Sequence, residues 1–242
     1  MLRSRNTPAP SPIPTHDLLS IELKAYIDLA VIRALRDPVR RRDFALYADG
    51  GRAVPQLTGV IHDGQISSDS QQTSLKDWGP NAALTDDMRV GQCWRVPSSA
   101  AQLGFRLTEK IHPTHVTIDH IPREIAADIG EAPRQMMLWG LVDGALNEQR
   151  LRKVPEVLTS TLPTFLERQQ PLLLEPHVSA VILATFEYDI YDPSPIQTFP
   201  VEPYVLDSFL HFGVLILDVA SNWGSSSMCL YRIRVHGNPA AV

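Results

Sequence analysis

The chain has 242 residues, 44% of them apolar and 20% charged, which suits one large β-rich domain or two small ones around a real core. Its net charge of −5 provides no domain-wide basic field, so nucleic acid is not an expected partner. No apolar run reaches the roughly 18 residues a spanning helix needs, and the start "MLRSRNTPAPSPIPTHD" lacks the apolar centre of a secretory signal.

The 20 prolines against 13 glycines disfavour long helices and favour short strands separated by turns. Residues 1–17 are Pro-rich and polar and read as a disordered linker. Residues 18–42 read as a helical lead-in. Leu19, Leu23, Ile27, Val31 and Leu35 recur at helical spacing, Asp17 or Ser20 can cap the start, and Pro38 stops it. Fewer than three heptads are present, too few to hold an oligomer alone. From residue 43 to 239 the pattern is that of strands. "DFALYADGGRAV" reads as a strand ending in a Gly-Gly turn, and the polar, Ser/Gln-rich stretch 59–80 as a mobile loop. "GFRLTEKI" and "HVTIDHI" read as two strands around "HPT", followed by "MMLWGLV".

An insertion at about 144–177 places Leu151, Val154, Leu158, Leu162 and Phe165 on a helical stripe. Pro155, Pro163 and Pro171 interrupt it, so short helical turns are expected. "ATFEYDI" alternates again, and "SFLHFGVLILDV" reads as a buried central strand. "MCLYRIRVHGNP" reads as one last strand, with Cys229, Tyr231, Ile233 and Val235 on one side and Leu230, Arg232, Arg234 and His236 on the other. The fold class expected is mainly β, an antiparallel sandwich with a short N-terminal helix and a partly helical insertion.

Nothing in the residues points to catalysis. There is no GxSxG, no HExxH, no phosphate-cradling glycine loop and no CxxC. His112, His115 and His120 are spaced so that His115 lies on the opposite face from the other two. The two cysteines, Cys93 and Cys229, lie far apart in the chain. They read either as buried free thiols or as a bridge, which for so large a loop is worth about 4–5 kcal/mol at most and implies an oxidising compartment.

The order of motifs adds to this. "DFALYADGGRAV", "GQCWRV", "RLTEKIHPTHVTIDHIPRE", "EAPRQMMLWGL", "PIQTFPV" and "SNWGSSSMCLYRIRVHGNP" together resemble the SUN domain of inner-nuclear-membrane proteins, over roughly residues 25–239 apart from the insertion. The resemblance implies a galactose-binding-like β-sandwich and a homotrimer when the domain is attached to an upstream coiled coil. It implies a partner, the C-terminal tail of a KASH protein, and a place in the perinuclear space, contiguous with the endoplasmic reticulum lumen. There the joined pair tethers nucleus to cytoskeleton. It implies a Cys93–Cys229 disulfide. It also implies a structural monovalent cation, potassium, held by backbone carbonyls at Ala82, Thr85, Asp87, Gln92 and Tyr231, and no other metal or cofactor. Membrane contact is expected only through a segment that this chain lacks, which reads as a fragment of a longer protein.

The tail pocket carried over from the family comprises His120, Glu131, Ser227 and Tyr231, and it departs from the family pattern. Glu131 stands where the family has a serine before "AP", and Ser227 where it has a tyrosine. A bare carboxylate there repels a tail carboxylate by about 4 kcal/mol at 4 Å near a protein surface. The family's cross-linking cysteine corresponds to Gly59, so no bond to the partner is expected, and the family's apolar lid hairpin corresponds to the polar stretch 59–80. The alternative is a divergent lumenal module of the endoplasmic reticulum that takes other ligands.

Overall fold

The computed structural model describes residues 20–35, 39–62, 65–67, 79–154 and 170–240. The expected linker at 1–17 and the stripe positions Leu158, Leu162 and Phe165 lie outside them. The chain divides into two compact units, Met1–Arg40 and Arg41–Val242. In the first, α1 (Ile21–Leu35) forms at the expected place. Ser20 caps it: its Oγ accepts the Leu23 N–H at 3.1 Å and its carbonyl the Lys24 N–H at 2.9 Å. No helix among the described residues is long and apolar enough to cross a membrane.

The second unit is an antiparallel sandwich built on one strand. β1 (Arg52–Ala53), β2 (Gly59–His62), β3 (Gln65–Ser67) and β4 (Trp94–Val96) precede β5 (Ala100–Asp119), which is 20 residues long. After it come β6 (Gln135–Leu141), α2 (Ala145–Leu151), β7 (Ala180–Glu187), β8 (Ile196–Pro200) and α3 (Pro203–Ser208). β9 (Phe212–Val219), β10 (Met228–Leu230) and β11 (Arg232–Pro239) close the domain. The N-terminal half of β5 pairs with β1, β2 and β9. Its C-terminal half pairs with β8 and β11. The main sheet runs β3-β2-β5-β9-β6-β7.

Leu103 and Phe105 of the first half of β5 share one buried cluster with Val116 and Ile118 of the second, Leu215 and Leu217 of β9, and Ile233 and Val235 of β11. The long strand therefore supplies both layers of one core, about which the rest is hung. The outer face of β6, β7 and β9 is covered as well: Met137, Trp139, Ile182 and Ile216 form a second cluster against Leu57 and Leu174. Leu174 belongs to the insertion, as does Leu172, whose N–H is accepted by Gln102 Oε1 at 2.9 Å. Leu151 and Val154 pack on the main core. The described parts of the insertion thus lie on the sandwich.

Four expectations are corrected. "HPT" is no turn: β5 runs through it, and its ladder with β11 bulges between His236 and Gly237, opposite Pro113. The bulge is where a proline, which has no N–H for the ladder, is tolerated. "DFALYADGG" makes turns; Phe44 N–H bonds the Val235 carbonyl at 2.8 Å, and Gly51 packs so closely that a Cβ would meet the Ala45 carbonyl oxygen at 2.0 Å. The stretch after residue 59 is not wholly loop, because β2 and β3 pair. Lastly, "MCLYRIRVHGNP" is two strands: β10 leaves the main sheet to pair with β4, and β11 returns to β5. Both faces of β11 are consequently buried through His236. Arg232 and Arg234 are accommodated by ion pairs with Asp43 (2.9 Å) and Asp119 (Nε, 2.7 Å).

Candidate functional site

The antiparallel pair β4–β10 sets the site. Cys229 stands directly across from Arg95, and two residues before Arg95 lies Cys93. Cys93 and Cys229 form a disulfide with Cα atoms 5.5 Å apart, closing a separation of 136 residues. Both are 2% exposed and pack with Ile121 and Tyr231. The bond fixes the two strands from which the surrounding side chains project.

His120 follows the end of β5 and is buried. Its ring meets Tyr231 edge to face, centroids 4.8 Å apart. Nδ1 lies 2.9 Å from the Ile121 carbonyl, so it carries the proton and Nε2 is an acceptor. That Nε2 is buried with no hydrogen-bond partner among the described residues. Burial lowers the imidazole pKa, with the Ile121 bond and nearby Glu131 opposing, so the ring is held towards its neutral form. The Tyr231 hydroxyl accepts the Gly91 N–H at 3.0 Å, tying the strand junction to the loop before Cys93.

Glu131 ends a 3-10 turn (Ile129–Glu131) that Asp128 caps by accepting the Gly130 N–H at 2.8 Å. The loop "NWGSSSMC" folds against this turn. Trp223 N–H bonds the Gly130 carbonyl at 3.1 Å, and Asn222 Nδ2 donates to the carbonyls of Ser225 and Ser227 at 2.8 Å each. Gly224, at φ +111°, lets the loop reverse. The result brings Ser227 Oγ to Glu131 Oε1, donating at 2.7 Å. The same Oε1 pairs with Arg95 Nη1. The expected pocket residues thus form two pairs, His120 with Tyr231 beside the disulfide and Ser227 with Glu131, and Glu131 is not a bare charge. Arg95 is the residue that sequence reasoning missed. Its only cue is its place in "GQCWRV", two residues past the cysteine.

A cavity of about 310 Å³ lies beside this region, lined by Ala82, Thr85, Asp87 and Gln92 together with Asp86 and Tyr47. Four of the five expected cation positions thus share one space. The Ala82 carbonyl accepts both the N–H (3.1 Å) and the hydroxyl (2.9 Å) of Thr85. Arg89 Nε donates to Asp87 at 2.8 Å, and that bond holds the Asp87 carboxyl down to about 2. No group of three or more His, Cys, Asp or Glu among the described residues is disposed to hold a metal. At the sheet edge, a Cβ on Gly59 would meet the Ser67 carbonyl oxygen at 2.7 Å and Ile66 Cγ1 at 2.8 Å. The position of the family's cross-linking cysteine is therefore closed to a side chain unless β3 shifts.

A family model described as Sad1 / UNC-like C-terminal matches residues 73–165 and 170–239. The chain belongs to this SUN-domain family. SUN domain-containing protein 3 of Mus musculus is 25% identical over 239 residues, covering 93% of this chain and 62% of the mouse protein. SUN domain-containing protein 2 of Mus musculus is 27% identical over 226 residues, covering 90% of this chain and 26% of that protein. The chain thus spans less than two thirds of these relatives. Among solved structures, a family 32 carbohydrate-binding module from Streptococcus pneumoniae EndoD aligns with 81% of this chain and 100% of that one, at 9% identity and a TM-score of 0.49. SUN domains are non-catalytic adaptors generally linked to bridging of the nuclear envelope.

Proposed function

We propose that this SUN domain binds the C-terminal tail of a KASH protein in the perinuclear space and so forms one half of a bridge from nucleus to cytoskeleton. The observations that support the reading are the His120–Tyr231 contact beside the Cys93–Cys229 bond and the Ser227–Glu131 hydrogen bond, with Glu131 paired to Arg95. The pairing offsets the repulsion that a lone carboxylate would exert on the tail's own carboxylate. The β2–β3 hairpin at the sheet edge supplies a strand to which an extended peptide can add. A trimer, assembled through an upstream coiled coil, is the working form.

A monovalent cation such as potassium belongs to the same reading. The residues fit it: Ala82, Thr85, Asp87 and Gln92 line one cavity, with a second carboxylate, Asp86, beside them. Main-chain oxygens there would hold it, and it would stiffen the loop that ends at Cys93. The test is a titration of the full chain, fused to a trimeric coiled coil, with a KASH tail peptide carrying either a free C-terminal carboxylate or an amide. Binding of the free acid with loss on amidation is expected. Equal binding of the two, or none of either, would overturn the reading.

A further inference from the structure

The guanidinium of Arg95 stands at the rim beside Glu131 and Ser227. Its backbone is fixed, because β4 is clamped between the disulfide at Cys93 and the ladder to β10. Its tip is not: half of the side chain is exposed, whereas Glu131 beneath it is 15% exposed. Only Nη1 meets a protein acceptor among the described residues, and the contact is to a single oxygen, Glu131 Oε1. That oxygen also receives Ser227. A guanidinium carries five N–H donors in a flat fork that matches a carboxylate two bonds at a time. Arg95 therefore has donors left over beside a carboxylate that engages only one of its nitrogens.

We infer that Arg95 is the specificity residue of this pocket, the cation that receives the terminal carboxylate of the bound tail, with Glu131 as its positioning residue. The inference rests on the tail reading above and deepens it. Glu131 and Ser227 hold the fork in place, and the incoming carboxylate completes a carboxylate–guanidinium–carboxylate sandwich. In this arrangement Glu131 works against affinity by its charge and for it by its geometry. The balance favours a ligand with a full negative charge, since a neutral amide offers the remaining Arg95 donors no charged acceptor.

The two roles separate in a double-mutant cycle on the full chain, fused to the same trimeric coiled coil, read by calorimetric titration with the free-acid and amidated KASH tail peptides. Arg95→Gln leaves Glu131 uncompensated and is expected to weaken the free acid roughly tenfold or more while leaving the amide unchanged. Glu131→Gln keeps an acceptor for Ser227 and Arg95 but removes the competing charge, and is expected to strengthen the free acid a few-fold. Arg95→Lys retains charge without the fork and is expected to fall between wild type and Arg95→Gln. The double variant Arg95→Gln/Glu131→Gln is expected to recover part of the loss, giving a coupling that two independent side chains would not show. Thermal melts confirm that each variant is folded. If wild type binds the free acid and Arg95→Gln binds it equally well, the role of Arg95 is overturned while the tail reading stands. If wild type binds neither peptide, both fall.

Discussion

Along β11, Arg232 and Arg234 meet Asp43 and Asp119 with every one of these side chains under a tenth exposed. Just beyond its start, Arg95 meets Glu131 with the guanidinium half in solvent. The chemical groups are the same, and burial gives them different work. In the first cluster Asp119 accepts from Arg234 through both Nε and Nη2, and Asp43 also takes the N–H groups of Ala45 (2.9 Å) and Val235 (3.2 Å). Desolvated charges of this kind cannot exchange partners without opening the core. The second pair is hydrated, held by one oxygen, and free to accept a third party. Ion pairs in the interior fix where strands lie, while those at the rim can be shared with a ligand.

The largest expected effect comes from breaking the buried cluster. Asp119→Ala leaves two guanidinium groups facing one carboxylate and should cost about 3–5 kcal/mol, read as a drop in the urea midpoint. Removing the disulfide by Cys93→Ser/Cys229→Ser should cost about 2–5 kcal/mol, and because β4 carries Arg95 and β10 follows directly on Ser227 it should also loosen tail binding, which a titration would detect. Acid comes next. Burial lowers the pKa of both His120 and His236 below the ordinary 6.5. The unfolded chain therefore takes up protons first, so stability is full above about pH 6.5 and declines as the pH falls below it. Denaturation midpoints between pH 7.5 and 5 should show this slope, and His236→Gln should flatten it. The smallest effect is at the rim, where Arg95→Gln should change folding stability by about 1 kcal/mol or less while changing affinity far more. Equal stability losses at Arg95 and Asp119 would erase the distinction between the two clusters.

The lead-in helix and the central strand at 212–219 were legible because apolar spacing carries them, and the family because a specific chain of motifs does. What escaped depends on pairing between distant segments. "HPT" looks like a turn in one dimension, yet opposite it the chain supplies Gly237, where a Cβ would meet the His112 carbonyl oxygen at 2.3 Å, and a bulge absorbs the proline. The split of the last segment at Tyr231 follows from β10 being captured by β4, which alternation within the segment cannot reveal. Arg95 and Glu131 lie 36 residues apart, and only the register of β4 against β10 and the loop at Asn222 brings them together. Asp43 likewise looked like the start of a strand, and its role is to pin β11 from outside the sheet.

The clamp at Asp43 has a mechanical consequence. The domain's first residues are fastened to β11 at Val235, through Phe44 N–H to the Val235 carbonyl, and the pocket residue Tyr231 stands at the head of the same strand. These two points of attachment are roughly 13 Å apart along one extended backbone. If the tail binds as proposed, tension between it and the chain entering at Phe44 would run along that strand. Its ladder with β5, from Arg232–Asp119 to Pro239–Ile111, crosses the line of pull at right angles, so the rungs resist sliding together instead of parting in turn. Such a load would enter along one short spar and pass through that ladder into β5, the strand on which the sandwich is built.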